Sequence, residues 1–314
     1  MKDQTDANFG KFADPAVTAD GQRRASVALS GLRTLWVNTG TLCNIACAHC
    51  YIESSPVNDA LVYISAEEVS EAIVDVQARG HPLEEVGFTG GEPFLNPAFP
   101  AMVEDTLRRG LKVLILTNAM KPMMRPRCRA ALERVQAAYP GRLTMRISID
   151  HHGRGLHDAE RGAGAFEETL TGMRWLRDAG IAMAVAGRGF SEEGEAEMRA
   201  GYAALFAREG FAIDAQDPAQ CVLFPEMDLR AEVPEITTAC WGILNKRPAD
   251  VMCASSRMLV KRKGEAPSYA ACTLLPHDPR FDMGSGAPER GQSVALNHPH
   301  CAKFCVLGGA SCAA

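Results

Sequence analysis

Between residues 34 and 245, short apolar runs alternate with longer amphipathic stretches. "TLWVNT" (34–39), "EVGFT" (85–89), "KVLILT" (112–117), "LTMRISID" (143–150) and "IAMAVAG" (181–187) have the near-continuous hydrophobicity of strands buried on both faces of a parallel sheet. "CVLFP" (221–225) is a weaker sixth. The intervening stretches carry helix signals. "SAEEVSEAIVDVQARG" (65–80) opens on a Ser65/Glu68 capping box and stops at Gly80. "AFPAMVEDTLRRG", "RCRAALERVQAAYPG" and "AFEETLTGMRWLRDAG" run into glycines in the same way. Five or six β/α units in series predict an α/β fold, a parallel sheet open or curved into a partial (β/α)6 TIM-like barrel. Its site belongs at the carboxyl ends of the strands.

The rhythm is absent at both ends. Residues 1–32 are polar and are expected to form a loosely ordered leader, ahead of a barrel over 33–247. From 248 to 314 a hairpin around Gly264 is followed by Gly-, Pro- and Cys-rich chain. Such a segment has too few apolar residues for a core of its own, so it needs a metal centre or a surface to pack on. No apolar run reaches the roughly 18 residues of a membrane span, and the N-terminus lacks the apolar core of an export signal. The cytoplasm is the expected compartment. A net charge of −5 argues against a protein that coats nucleic acid. The basic patches at 121–129 and 261–263 read as solvated surface.

Eleven cysteines change the picture. A reducing compartment does not favour disulfides, so clustered thiols there read as metal or iron–sulfur ligands. Cys43, Cys47 and Cys50 follow the first strand directly, as CxxxCxxC. Structural zinc wants four ligands. Three cysteines in one tight loop suit a cubane cluster with one iron left open. His49 could complete a zinc site, but beside Cys50 it would have difficulty converging on the same ion. A second group comprises Cys240, Cys253, Cys272, Cys301, Cys305 and Cys312, while Cys128 and Cys221 read as buried thiols.

With Tyr51 after the third cysteine, the pattern resembles the radical S-adenosylmethionine (SAM) superfamily. The resemblance implies that the open iron chelates the amino and carboxylate groups of SAM. One electron then cleaves the sulfonium, and the resulting 5′-deoxyadenosyl radical takes a hydrogen atom from a substrate. "GFTGGEPFLNP" (87–97) stands where that family carries its GGEP turn. Gly90 and Gly91 let backbone approach the ligand, Pro93 fixes the turn, and Glu92 is expected to accept from the SAM ammonium. "SIDHHGRGLHDAERGAGAFE" (148–167) resembles the fourth-strand region of members that modify peptides, which implies Ser148 and Arg161 at the SAM carboxylate. Asn118, after the third strand, reads as a ribose contact or a turn cap. Arg188 could serve cofactor or substrate. His151, His152 and His157 read as loop residues rather than ligands. Glu226 and Asp228 read as solvated carboxylates or as pocket acids.

The tail resembles the twitch or SPASM extensions of that superfamily, which implies a second [4Fe–4S] cluster. Cys253, Cys272, Cys301, Cys305 and Cys312 are five candidates for four ligand positions, and Cys240 is either a core residue or a further ligand. The overall layout, with "NTGTLCNIACAHCYIESSP" and "HCAKFCVLGGASC", resembles the arsenosugar-biosynthesis group. The expected function is reductive SAM cleavage and hydrogen abstraction from a small metabolite or peptide. An external flavodoxin- or ferredoxin-type protein is expected to supply electrons. A radical SAM enzyme acting on RNA and a non-enzymatic Fe–S protein are the alternatives, and the acidic chain argues against the first.

Overall fold

The computed structural model describes residues 10–189, 193–225 and 232–308. Its strands are β1 (Ser26–Ala28), β2 (Thr34–Asn38), β3 (Glu85–Thr89), β4 (Lys112–Thr117), β5 (Leu143–Ser148), β6 (Ala182–Arg188), β7 (Cys221–Phe224), β8 (Ser256–Val260), β9 (Ser268–Ala270) and β10 (Ser293–Ala295). The strands from β2 to β7 occupy the six stretches predicted from apolar runs. They pair parallel in chain order, within one sheet ordered β7-β6-β5-β4-β3-β2-β8-β9. The helices α1 (Ala66–Ala78), α2 (Phe99–Arg108), α3 (Lys121–Met124), α4 (Pro126–Ala138), α5 (Arg154–Arg161), α6 (Ala165–Asp178) and α7 (Glu195–Glu209) connect those strands or follow them, and α8 (Cys240–Ile243) lies beyond β7. At α1 the capping box is present: Ser65 Oγ accepts from the Glu68 N–H at 3.2 Å, and the Glu68 carboxylate accepts from the Ser65 N–H at 2.9 Å.

The strand period of two divides the core. On β2, Leu35 and Val37 join the apolar layer beneath the helices, with Ile73, Met102 and Leu176. Trp36 points to the opposite face, among Leu114, Ala186, Phe224, Met258 and Phe304. That second cluster is shared between the parallel strands and the tail. Burying an aromatic or aliphatic side chain in this way contributes about 1.5–3 kcal/mol each.

One expectation about the chain ends is corrected. Residues 10–32 are packed rather than loose: Phe12, Ala25 and Val27 are buried, and β1 pairs antiparallel with β10 through Val27 and Val294. Arg24, also buried, is ion-paired with Glu235. The hairpin around Gly264 is present, with β8 and β9 antiparallel. However, β8 also joins the main sheet, parallel to β2, with Trp36 opposite Met258. The main sheet is thus the surface on which this part of the tail packs. Among the described residues, no helix is long and apolar enough to cross a membrane.

Candidate functional site

The loop after β2 and the turn after β3 are built against each other. The Gly91 N–H donates to the Gly40 carbonyl at 2.8 Å, and the Glu92 N–H to the Leu42 carbonyl at 3.1 Å. Gly90 sits at φ +142, and a Cβ on Gly91 would fall 2.1 Å from the Leu42 carbonyl oxygen. Only glycine permits this approach. Gly91→Ala should destabilise the protein by about 1–3 kcal/mol, because the obstructing atom is backbone and cannot rotate away. Gly155→Ala in α5, with open space around it, is the control expected to change urea unfolding little.

Further contacts fix the cysteine loop. The Cys43 N–H donates to Ser55 O at 3.0 Å, and Ala48 N–H to Glu160 O at 2.8 Å. The His49 ring meets the Glu160 carboxylate at 3.0 Å, so its nearest partner is α5 and not a metal-ligand set. Arg188 Nη2 donates to the His49 carbonyl at 2.8 Å, and its guanidinium lies 4.8 Å over the Tyr51 ring. Tyr51 in turn packs edge-on against Phe224 and Phe304, joining the loop to the barrel and the tail.

Cys43, Cys47, Cys50, Tyr51, Gly90, Gly91, Asn118, Ser148, Arg161 and Arg188 all line one cleft at the carboxyl end of the sheet. It encloses about 1080 Å³ of empty space, its open mouth included. Trp36, Leu116, Ala186 and Leu274 supply its apolar part. Burial pushes the Cys43 thiol up to about 12 and raises Cys47 as well. Such a thiol gives up its proton readily only to a metal. Asn118 Nδ2 donates to Asn44 Oδ1 at 2.9 Å, tying β4 to the loop.

Of the residues expected at the SAM site, Glu92 does not line the cleft. Its buried carboxylate accepts from Thr117 Oγ1 at 2.8 Å, the Asn118 N–H at 3.0 Å and the Phe94 N–H at 3.3 Å. Burial pushes it up to about 7 against these donors. Its carboxylate braces Thr117 and Asn118, which line the cleft themselves.

Asp150, the third residue of the quoted "SIDHHG" stretch, is a site residue that the sequence reading does not single out. It holds Arg161 by a fork, Nε to Oδ2 at 2.8 Å and Nη2 to Oδ1 at 3.1 Å, and lies 4.0 Å from Arg188. Burial raises the Asp150 carboxyl, but the charge and hydrogen bonds of Arg161 outweigh it and leave it below its ordinary value. The available signal was a carboxylate at a strand end, eleven residues before an arginine on the next helix.

His151, His152 and Glu193 also come together, within 4.8 Å. His151 Nδ1 accepts the Gly153 N–H at 2.8 Å, and its Nε2 meets the Glu193 carboxylate at 3.0 Å. These hydrogen bonds account for the grouping as loop structure. His157 is fully buried, and burial lowers its imidazole to about 4.

The tail places Cys253, Cys272, Cys301 and Cys305 around a second cavity of about 400 Å³, walled by Val251, Leu275, Phe281 and Leu296 among others. Leu274 lines both cavities. Cys240 is not in this wall; its sulfur accepts from the Thr237 N–H. Cys128 and Cys221 are buried in the layer beneath the helices. Cys312, Glu226 and Asp228 lie outside the described residues. Among the described residues, no three sulfurs of either set lie within 4.8 Å of one another. A zinc ion with Zn–S bonds near 2.3 Å draws tetrahedral sulfurs to about 3.8 Å. A cubane, with each thiolate on a different iron, holds them wider.

Comparison with known proteins places this geometry. Over 145 residues the chain is 34% identical to the antilisterial bacteriocin subtilosin biosynthesis protein AlbA of Bacillus subtilis, covering 46% of this chain and 30% of AlbA. The matched stretches span 30–35% of the length of the curated relatives. Streptococcus suis SuiB bound to S-adenosylmethionine superposes with a TM-score of 0.59 at 11% identity, over 82% of this chain and 64% of that one. The protein anSMEcpe, solved with AdoMet and the Cp18Cys peptide, gives 0.57 at 14%, over 82% and 78%. These likenesses show a shared fold. The profile of the Radical SAM superfamily matches residues 37–199, which run from the cysteine loop through the Asp150–Arg161 pair, and the chain therefore belongs to the radical SAM superfamily of enzymes.

Proposed function

We propose that the protein binds a [4Fe–4S] cluster on Cys43, Cys47 and Cys50, cleaves SAM reductively there, and abstracts hydrogen from a peptide. The observation that carries this reading is the convergence of the three sulfurs and the Gly90–Gly91 turn on one cleft at the strand ends. When bound, the cluster and SAM supply the hydrogen-abstracting chemistry. The chain supplies the setting. Three thiolates leave one iron free for the cosubstrate. Gly90 and Gly91 expose backbone to it, and Ser148 and Asn118 offer hydrogen bonds from β5 and β4. Asp150 fixes the Arg161 fork through Nε and Nη2, leaving Nη1, unpartnered among the described residues, to meet a carboxylate. The apolar walls exclude water from the reacting centre.

The second set, Cys253, Cys272, Cys301 and Cys305, holds a further [4Fe–4S] cluster beyond Leu274 in this proposal, and an external flavodoxin- or ferredoxin-type donor reduces the protein. A peptide is favoured because the biosynthesis protein AlbA and the peptide-bound anSMEcpe are among its relatives in sequence and fold. A small metabolite is the second reading, supported by the arsenosugar-like spacing of "CNIACAHC" and "HCAKFC".

The test is anaerobic reconstitution with iron and sulfide, then SAM and dithionite. Formation of 5′-deoxyadenosine is expected, and no product from protein that carries iron would remove the proposal. Deuterium transfer into 5′-deoxyadenosine from deuterated peptides, but not from deuterated metabolite pools, identifies the substrate class.

A further inference from the structure

Arg257, on β8, is 1% exposed. Its guanidinium donates to three carbonyls: Nη1 to Cys253 and Ser256, and Nη2 to Gln292 at 3.2 Å. Its Nε is buried without a partner. Among the described residues, no carboxylate pairs with it. The other buried arginines are matched: Arg24 faces Glu235, Arg161 and Arg188 face Asp150, and Arg146 feels Glu85. Carbonyls satisfy hydrogen bonds but do not neutralise charge, and a buried charge without a counter-charge is costly.

The place of this cation suggests what balances it. One of its hydrogen-bond partners is the main chain of Cys253, which lines the four-cysteine cavity. Burial pulls the guanidinium down, and the Cys253 and Cys272 sulfurs are the neighbours that hold it up. Arg280 also feels Cys301, but its guanidinium is already engaged by Asp278. A cubane on four thiolates is anionic in both oxidation states, and more so when reduced.

We propose that Arg257 is the built-in counter-charge of the cluster on Cys253, Cys272, Cys301 and Cys305, and that it raises the reduction potential of that cluster. The inference rests on the reading of those four cysteines as a cluster site. The cation favours the reduced form, because one-electron reduction adds a negative charge next to it.

The test uses the full chain carrying Cys43→Ala, Cys47→Ala and Cys50→Ala, so that only tail iron is observed, with potentials from EPR-monitored titration. Arg257→Gln should lower the reduced-to-oxidised ratio at fixed poise by about tenfold or more, equivalent to about 59 mV for one electron. Arg257→Lys should largely restore it. Loss of iron from Arg257→Gln alone, with Arg257→Lys loaded, also supports the counter-charge. An unchanged potential in Arg257→Gln overturns it, and so does equal loss of iron from both variants, which would mark a role of shape. If the parent triple variant holds no iron, the four-cysteine reading itself fails, a result distinct from the other outcomes.

Discussion

Alanine at Cys43, Cys47 or Cys50 should reduce 5′-deoxyadenosine formation to background while leaving iron on the tail cysteines. In the proposed function each thiol would supply one of three protein ligands, so a single loss would leave two. Cys43 is the least replaceable. It is buried, its thiol is pushed up to about 12, and its backbone is fixed to Ser55. Solvent offers no substitute ligand at that depth. The tail sulfurs lie around a separate cavity, beyond Leu274, and should keep their metal. Chromatography of the nucleoside products decides the matter: continued 5′-deoxyadenosine production by any of the three variants refutes the assignment.

Asp150→Ala should cost about 3–5 kcal/mol in urea unfolding, the range for removing one partner of a buried ion pair. Asp150 is 4% exposed, and its loss leaves two guanidinium groups, Arg161 and Arg188, facing each other without a carboxylate. The pH dependence follows from the direction of its shift. The folded-state value lies below the ordinary 3.8, so the stabilisation is present above that value and is lost as pH falls through the folded value. The stability gap between wild type and Asp150→Asn should therefore close in acid below about pH 4. A gap that persists unchanged there would mean the carboxylate charge is not what holds the arginines.

The six parallel strands were legible because a strand buried on both faces has to be apolar through its centre, as "VGF" in β3 and "VLIL" in β4 are. The cysteine loop and glycine turn were legible because their chemistry is local in sequence. What escaped depended on distant pairing. β8 joins β2 across more than 200 residues, and no periodicity within "SRMLV" announces a parallel neighbour. β1 is three residues long with a single buried side chain, too short to stand out from a leader. Glu92 is expected from its motif to accept from the SAM ammonium. Whether it faces a cleft or a scaffold depends on Thr117 and Asn118, 25 and 26 residues away. Asp150 was visible as a residue but not as a partner, because helix α5 has to fold back before Arg161 can reach it. Likewise the lack of a counter-charge at Arg257 is a property of packing, invisible in a basic residue read along the chain.

The proposed function requires two separate cluster sites in one chain, and the iron content of reconstituted protein reads both. After anaerobic reconstitution the wild type should hold about eight irons per chain, and the Cys43/Cys47/Cys50 triple alanine variant about four, since each cubane carries four. About four irons in the wild type falling to none in the variant would contradict it, leaving the tail cysteines as a packing device without a cluster.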